Sequence, residues 1–390
     1  MNNYLRKKKR INIEIKGVNF INKGAELMLL SIIDEFRERG FDADFAMNIK
    51  DIRLATEGYE YMKLLPWRYS NKYPFIGPSI HRLFKFIPNQ KLLNHSILFR
   101  EDIDLILDAS GFVYSDQWGA GAAEVMARKI KEDKEKGKTT VLLPQAFGPF
   151  TSSRIKDAMR SVLSQADLIF ARDKISYSYL DELKVKSANL HQCPDFTNKM
   201  KSKRPSNIEE VKGSVCIIPN YRMIDKTNND SKSYLNFFYT ACSCLDGKDI
   251  DYYFLIHEMQ DDSEIVNSIA GRLHHDVKII HEKDPRKIKG YIKESRFVIG
   301  SRYHGIISAI NQNVPVIASG WSHKYQMLLQ EYSLEKWYCG DIESDDIESL
   351  INELIDECTF QEYVSKLNVQ NDKNLQAVNK MWDKVFSLIK

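Results

Sequence analysis

The stretch F-V-I-G-S-R-Y-H-G-I-I-S-A-I-N-Q-N-V-P-V-I-A-S, residues 297–319, is a complete structural unit. It reads as a buried strand, a Gly turn, a helix, and a second strand opened by Pro315. A strand that feeds a helix and then another strand predicts a parallel pair, so the surrounding sheet is of the α/β kind. Ser301 is placed to cap the helix. Arg302 and His304 then fall at the carboxyl end of a strand and on the first helical turn. Ligands of open α/β sheets bind there. Free N–H groups and the positive end of the helix dipole favour an anion. Arg offers a planar fork for carboxylate or phosphate, and His offers a proton near neutral pH.

Working outward, short apolar runs alternate with amphipathic stretches along most of the chain. Strands are expected at 11–15, 104–109, 139–144, 167–171, 214–219, 251–256, 277–280, 296–301 and 314–319. The alternation breaks at K-M-K-S-K-R-P-S-N-I-E-E-V-K, residues 199–212, which is polar and lacks apolar periodicity. At 390 residues, two α/β domains are expected, 1–205 and 206–390. A helix capped by Ser344 should carry Ile347, Leu350, Ile351, Leu354 and Ile355 on one stripe, with one or two more helices over 360–390.

Composition narrows the function classes. The 56 Lys and Arg against 53 Asp and Glu leave a net charge of +3, which argues against a chain-wide nucleic-acid footprint. No apolar run approaches the length of a membrane span, and no apolar segment follows the basic start at 6–10, so a cytoplasmic protein is expected. Six scattered cysteines without a C-x-x-C pair suit reduced thiols rather than disulfides or zinc. Asp42 with Asp44, and Asp102 with Asp104, form D-x-D pairs of the kind metal-dependent sugar transferases use, but the second pair opens a strand instead of closing one.

Other strand ends repeat the pattern of the opening stretch. Asn22, Lys23, Gly24 and Glu26 follow the first strand. Asp108, Ser110 and Gly111 follow the second, Gln145 with Gly148-Pro149 the third, and Arg172 the fourth. Together they would line the wall of a cleft. Phosphate-binding, dinucleotide, zincin and hydrolase signatures (G-x-x-x-x-G-K-[ST], G-x-G-x-x-G, H-E-x-x-H, G-x-S-x-G) are absent from the sequence.

The ordered set N-x-G-A-E at 22–26, Ser110-Gly111, P-Q-A-F-G-P at 144–149, A-R-D-x-x-S at 171–176 and G-S-R-Y-H-G at 300–305, with N-V-P-V-I-A and Lys324 after it, resembles the polysaccharide pyruvyl transferase family. The resemblance implies two Rossmann-like domains facing across a cleft, as in GT-B glycosyltransferases. It also implies transfer of the enolpyruvyl group of phosphoenolpyruvate to two hydroxyls of a sugar, giving a pyruvate ketal. In that scheme Arg302 and Arg172 hold the donor with Ser301 and Lys324, and His304 protonates its methylene carbon. Asp108 or Glu26 receives the hydroxyl proton, and Asn22, Ser110 and Gln145 meet the acceptor, which is expected to be lipid-linked. The scheme requires no metal and no cofactor. Two other functions fit the same residues: a nucleotide-sugar glycosyltransferase, and a non-catalytic binder of anionic glycans.

Residues 61–100 stand apart, with seven Lys or Arg, eight aromatics and no Asp or Glu. Such a segment suits either an insertion packed on its own domain or contact with an anionic membrane surface, with base stacking a lesser fit. If it meets membrane, changing Lys63, Arg68, Lys72, Arg82 and Lys85 together to Gln is expected to reduce pelleting with anionic vesicles. Equal pelleting of wild type with anionic and neutral vesicles removes the membrane reading.

Overall fold

A computed structural model describes residues 10–48, 59, 62–65, 98–186, 189–225, 231–257, 261–320, 322–340 and 346–389. The first half forms a seven-stranded parallel sheet of β1 (Ile11–Lys16), β2 (Ala43–Asn48), β3 (Lys63–Leu65), β4 (Leu105–Asp108), β5 (Thr139–Gln145), β6 (Leu168–Ala171) and β7 (Leu190–Gln192). Its order is β3-β2-β1-β4-β5-β6-β7. The second half forms a six-stranded parallel sheet of β8 (Val215–Ile218), β9 (Tyr252–Ile256), β10 (Lys278–His281), β11 (Val298–Gly300), β12 (Val316–Ser319) and β13 (Tyr338–Cys339), in the order β10-β9-β8-β11-β12-β13. Both orders reverse direction once, between β1 and β4 and between β8 and β11. This is the doubly wound arrangement, and each reversal opens a crevice at the carboxyl ends of its strands. The fold is thus mixed α/β with two Rossmann-like sheets.

The helices of eight or more residues that bear on the site are α1 (Lys23–Glu38), α2 (Gly121–Glu135), α3 (Ser153–Gln165), α4 (Lys174–Asp181), α5 (Ser231–Asp246), α6 (Asp261–Ala270), α7 (Pro285–Lys293), α8 (Tyr303–Ile310), α9 (His323–Glu331), α10 (Ile347–Ile355) and α11 (Glu357–Ser387). α1 starts where the Asn22 side chain accepts the Gly24 N–H at 2.9 Å. It is buried on nearly every side, because one face covers the first sheet and another packs on α7 and α8 of the second half. Arg286 grips Asp34 across this contact at 2.7 and 2.8 Å.

Four strands escape the apolar-run reading: β2, β3, β7 and β13. Three of these four are edge strands or next to an edge, only two or three residues long, so the periodic signal is too short to register. β2 is longer, but its apolar run is interrupted by Asp44. The cap of α10 is Asp346, whose carboxylate accepts the Ser349 N–H at 2.9 Å; Ser344 lies outside the described residues. Residues 357–387 form one long helix, within the one or two expected. Of the segment 61–100, only 62–65 and 98–100 are described. Two of its cations serve the fold: Lys63 pairs with Asp44 at 3.6 Å and Arg100 with Glu14 at 3.4 Å.

α11 ties the halves together. Its first turns place Tyr363 and Leu367 in the core of the second sheet, and its last turns place Val378, Met381, Trp382 and Val385 in the core of the first. Between these stretches, Asn371 donates to the Ile310 carbonyl at 2.7 Å and Asn374 to the Tyr332 hydroxyl at 3.0 Å. Among the described residues no helix is long and apolar enough to cross a membrane. Trp382 is fully buried edge-on to Phe36 and Phe196. Trp382→Ala should therefore cost about 3–5 kcal/mol in denaturant unfolding; a loss below about 1 kcal/mol would show that the helix end is not core.

Candidate active site

The carboxyl edges of the two sheets face each other across a cleft of about 380 Å³. Its first-half wall is built where β1 and β4 end, from Gly17, Asn22, Ser110 and Phe112. A β-carbon on Gly17 would stand 2.2 Å from Ser110 Oγ, so only glycine lets the two strand ends approach this closely. The second-half wall is built where β8, β9 and β11 end, from Asn220, His257, Arg302 and His304, with Lys324 from the start of α9.

The turn after β11 is held from three directions. The Ser301 carbonyl accepts from Asn220 Nδ2 at 2.8 Å and from the Tyr325 hydroxyl at 3.1 Å, and the Ser301 hydroxyl is bonded to Tyr234. Ser301 thus pins the turn and does not cap α8. Arg302 occupies the cap position of α8 and directs Nε at Asp262 Oδ2, 2.8 Å away, with Nη2 on Oδ1. The Nε–Nη2 edge of the guanidinium is therefore engaged by Asp262, because a buried guanidinium needs a counter-charge.

His304 stands on the first turn of α8 against α1. A β-carbon on Gly24 would lie 2.2 Å from His304 Nδ1, so the glycine makes room for the imidazole. His304 Nε2 is 3.9 Å from the Asp195 carboxylate. Asp195 follows β7 and accepts from Thr197 N at 3.0 Å, Thr197 Oγ1 at 2.6 Å and Arg172 Nη1 at 3.1 Å. Arg172 lies over the Tyr303 ring at 4.3 Å. The Lys324 ammonium is surrounded by the rings of Tyr303, Tyr325 and Phe112 at 5.2, 5.3 and 5.6 Å.

Cations outnumber carboxylates here, and the charge balance shifts their ionisation. Burial, then repulsion from Arg172 and Arg302, lowers Lys324 to about 7. Burial lowers His304 to about 4 against the pull of Asp195. Asp195 itself is held below the usual carboxylate range, its burial outweighed by His304, Arg172 and the Thr197 bonds. Three buried nitrogens in the cleft wall have no hydrogen-bond partner among the described residues: Arg172 Nε, His257 Nδ1 and His304 Nε2. Buried polar atoms are rarely left so, and their convergence marks a site for a polar, anionic ligand.

The structure brings Asn22, Ser110, Arg172, Arg302, His304 and Lys324 together, and leaves other expected residues out. Asp108 is spent on its own turn, accepting Ser110 N at 3.0 Å, Ser110 Oγ at 2.6 Å and the Tyr114 hydroxyl at 2.7 Å. Glu26 is paired with Lys23 at 2.5 Å and with the Tyr59 hydroxyl at 2.7 Å, behind the wall. Gln145 is fully buried and leans on the Asp108 carbonyl at 3.4 Å. The D-x-D pairs sit at the amino edge of the first sheet, away from the cleft: Arg10 pairs with Asp42 and Asp44 at 3.5 and 2.8 Å, and Asp104 accepts Asn12 N at 2.9 Å. Among the described residues, no group of His, Cys, Asp and Glu is arranged to hold a metal ion. Asn220, His257 and Asp262 were not anticipated. For the first two the signal was present, since each directly follows an apolar strand, P-N after S-V-C-I-I and H after Y-Y-F-L-I.

A family model described as polysaccharide pyruvyl transferase matches residues 22–323. A search of curated protein sequences returns no match. Among solved structures, Anabaena HepE in complex with UDP-glucose aligns at 12% identity and a TM-score of 0.58, covering 97% of this chain and 100% of that one. A Staphylococcus aureus MnaA–UDP structure aligns at 13% identity and a TM-score of 0.57, covering 96% and 97%. At such identities these two report the fold alone.

The contact between Gly24 and His304 makes a sharp test of the site. Gly24→Ala should keep the fold, cost about 1–3 kcal/mol through overpacking, and displace the imidazole. Retention of both wild-type stability and wild-type ligand affinity would show that the two sheets are not apposed as described.

Proposed function

The chain belongs to the polysaccharide pyruvyl transferase family, and from that premise we propose that it transfers the pyruvyl group of phosphoenolpyruvate to two hydroxyls of a cell-surface polysaccharide or its lipid-linked precursor, closing a ketal. The observation that carries this reading is the convergence of Arg172, Arg302, Lys324 and His304, with two partnerless nitrogens among them, on one cleft. Phosphoenolpyruvate is a small multivalent anion, and such a site supplies cations without competing carboxylates, since Asp195 and Asp262 are already bound to arginines.

Donor binding also prepares the acid. With burial holding His304 near 4, its imidazole is neutral at pH 7. The negative charge of the donor raises that value and lets the ring take up a proton. His304 then delivers it to the methylene carbon, leaving an electron-deficient C2 that a sugar hydroxyl attacks. Phosphate leaves, and the second hydroxyl closes the ring. Asn22 and Ser110, on the opposite wall, suit hydrogen bonding to a sugar.

The test is release of phosphate from phosphoenolpyruvate that depends on a sugar diol. His304→Gln should release it at least ~100-fold more slowly while phosphoenolpyruvate still raises the melting temperature. Because Lys324 is held to about 7, this stabilisation should weaken as the pH rises from 7 to 9 and the free ammonium loses its proton. The solved neighbours bound to UDP and UDP-glucose favour a rival, a nucleotide-sugar glycosyltransferase. Stabilisation by UDP-glucose and none by phosphoenolpyruvate would decide for it.

A further inference from the structure

We propose that His257 is a second catalytic residue, the base that takes the proton of the acceptor hydroxyl as its oxygen bonds to C2 of the donor. The inference rests on the pyruvyl-transfer reading above and supplies a group that reading lacks. Ketal formation removes two hydroxyl protons, and the first must go to a base within the cleft. Asp108 and Glu26 lie behind the wall with their oxygens engaged. Asp195 and Asp262 each already accept a hydrogen bond from an arginine.

His257 has the attributes the others lack. It directly follows β9, beside the reversal between β8 and β11, and so stands at the crevice. It is only 4% exposed, yet its Nδ1 has no hydrogen-bond partner. The charged groups that act on it are Arg302 and His304 at the start of α8 and Lys23 at the start of α1. Burial first, and then these cations, hold its ionisation well below the ordinary histidine value. The ring is therefore neutral at working pH, and the negative charge of bound phosphoenolpyruvate, set against these cations, raises its basicity at the step that needs a proton acceptor.

The protons balance. The first hydroxyl O–H breaks, its electron pair forms the bond to C2, and its proton goes to His257, while the proton from His304 forms the new C–H bond at C3. The bridging C–O bond then breaks with its pair on phosphate, and the second hydroxyl adds to C2. Phosphate takes that hydroxyl's proton and leaves as hydrogen phosphate. His257 ends protonated and His304 neutral, and proton exchange with solvent restores both.

The experiment compares wild type with His257→Asn and His257→Ala in phosphate release, in KM for phosphoenolpyruvate and in the melting-temperature shift that phosphoenolpyruvate produces. Expected are a kcat at least ~100-fold lower in both variants, a KM within about threefold of wild type, loss of the acid limb of the kcat pH profile, and partial rescue of His257→Ala by added imidazole. A kcat kept with KM raised would make His257 an anion ligand and overturn the proposal. So would a kcat lost with the pH limb intact and no rescue, which is the signature of a structural role. If wild type releases no phosphate, the pyruvyl-transfer reading fails and this inference with it; if wild type turns over and the variants match it, only this inference fails.

Discussion

A single buried carboxylate, that of Asp195, sets the geometry of the cleft. A charge taken out of water must be paired, and the partners available to Asp195 come from different parts of the fold. Arg172 follows β6 of the first sheet, and His304 stands on α8 of the second. The Thr197 hydroxyl and N–H fix the carboxylate's orientation, so Arg172 and His304 are both positioned relative to one point. Gly24 then limits how the second half can approach, because His304 occupies the space that any side chain at 24 would need. The two strand-order reversals are apposed as a consequence, and the ligand site that each doubly wound sheet would form by itself becomes one shared cleft.

The same pairing explains why some residues suggested by the sequence are absent from the site. A polar residue at a strand end either faces the crevice or folds back on the turn that follows, and the sequence does not distinguish the two. Asp108 folds back, because Ser110 two residues later and Tyr114 six residues later offer donors at once. Glu26 is diverted by Lys23 one helical turn before it. Arg302 was legible as a cation at a helix start, but its partner Asp262 is 40 residues away, so its fork could not be assigned without the fold. The strand–helix–strand unit at 297–319, the two parallel sheets and the cationic residues Arg172, His304 and Lys324 were all readable, since each depends on local pattern. His257 and Asn220 follow the same strand-end rule, but their flanking motifs are weaker.

Electrostatics divides the cleft residues into two kinds. Arg302 is neutralised in place by Asp262, so it shapes the wall at little cost when no ligand is present. Burial drives Lys324 and His304 toward their neutral forms. These two are the residues whose charge an anion can restore, and restoring charge in a dry site couples ligand binding to proton uptake.

That coupling extends to the contact between the two halves. Arg172, from the first half, lies over Tyr303 of the second, and its charge repels Lys324 and His304 across the interface. An anion seated among them offsets this repulsion. The halves are joined elsewhere by Arg286 with Asp34 and by α11, whose Asn371 and Asn374 form a polar seam between its two apolar ends. Hydrogen bonds of that kind fix register more than they add stability, because each replaces one made to water. The apolar ends of α11 therefore tie the two cores into one molecule, and the cleft with its buried cationic side chains lies where the two halves meet.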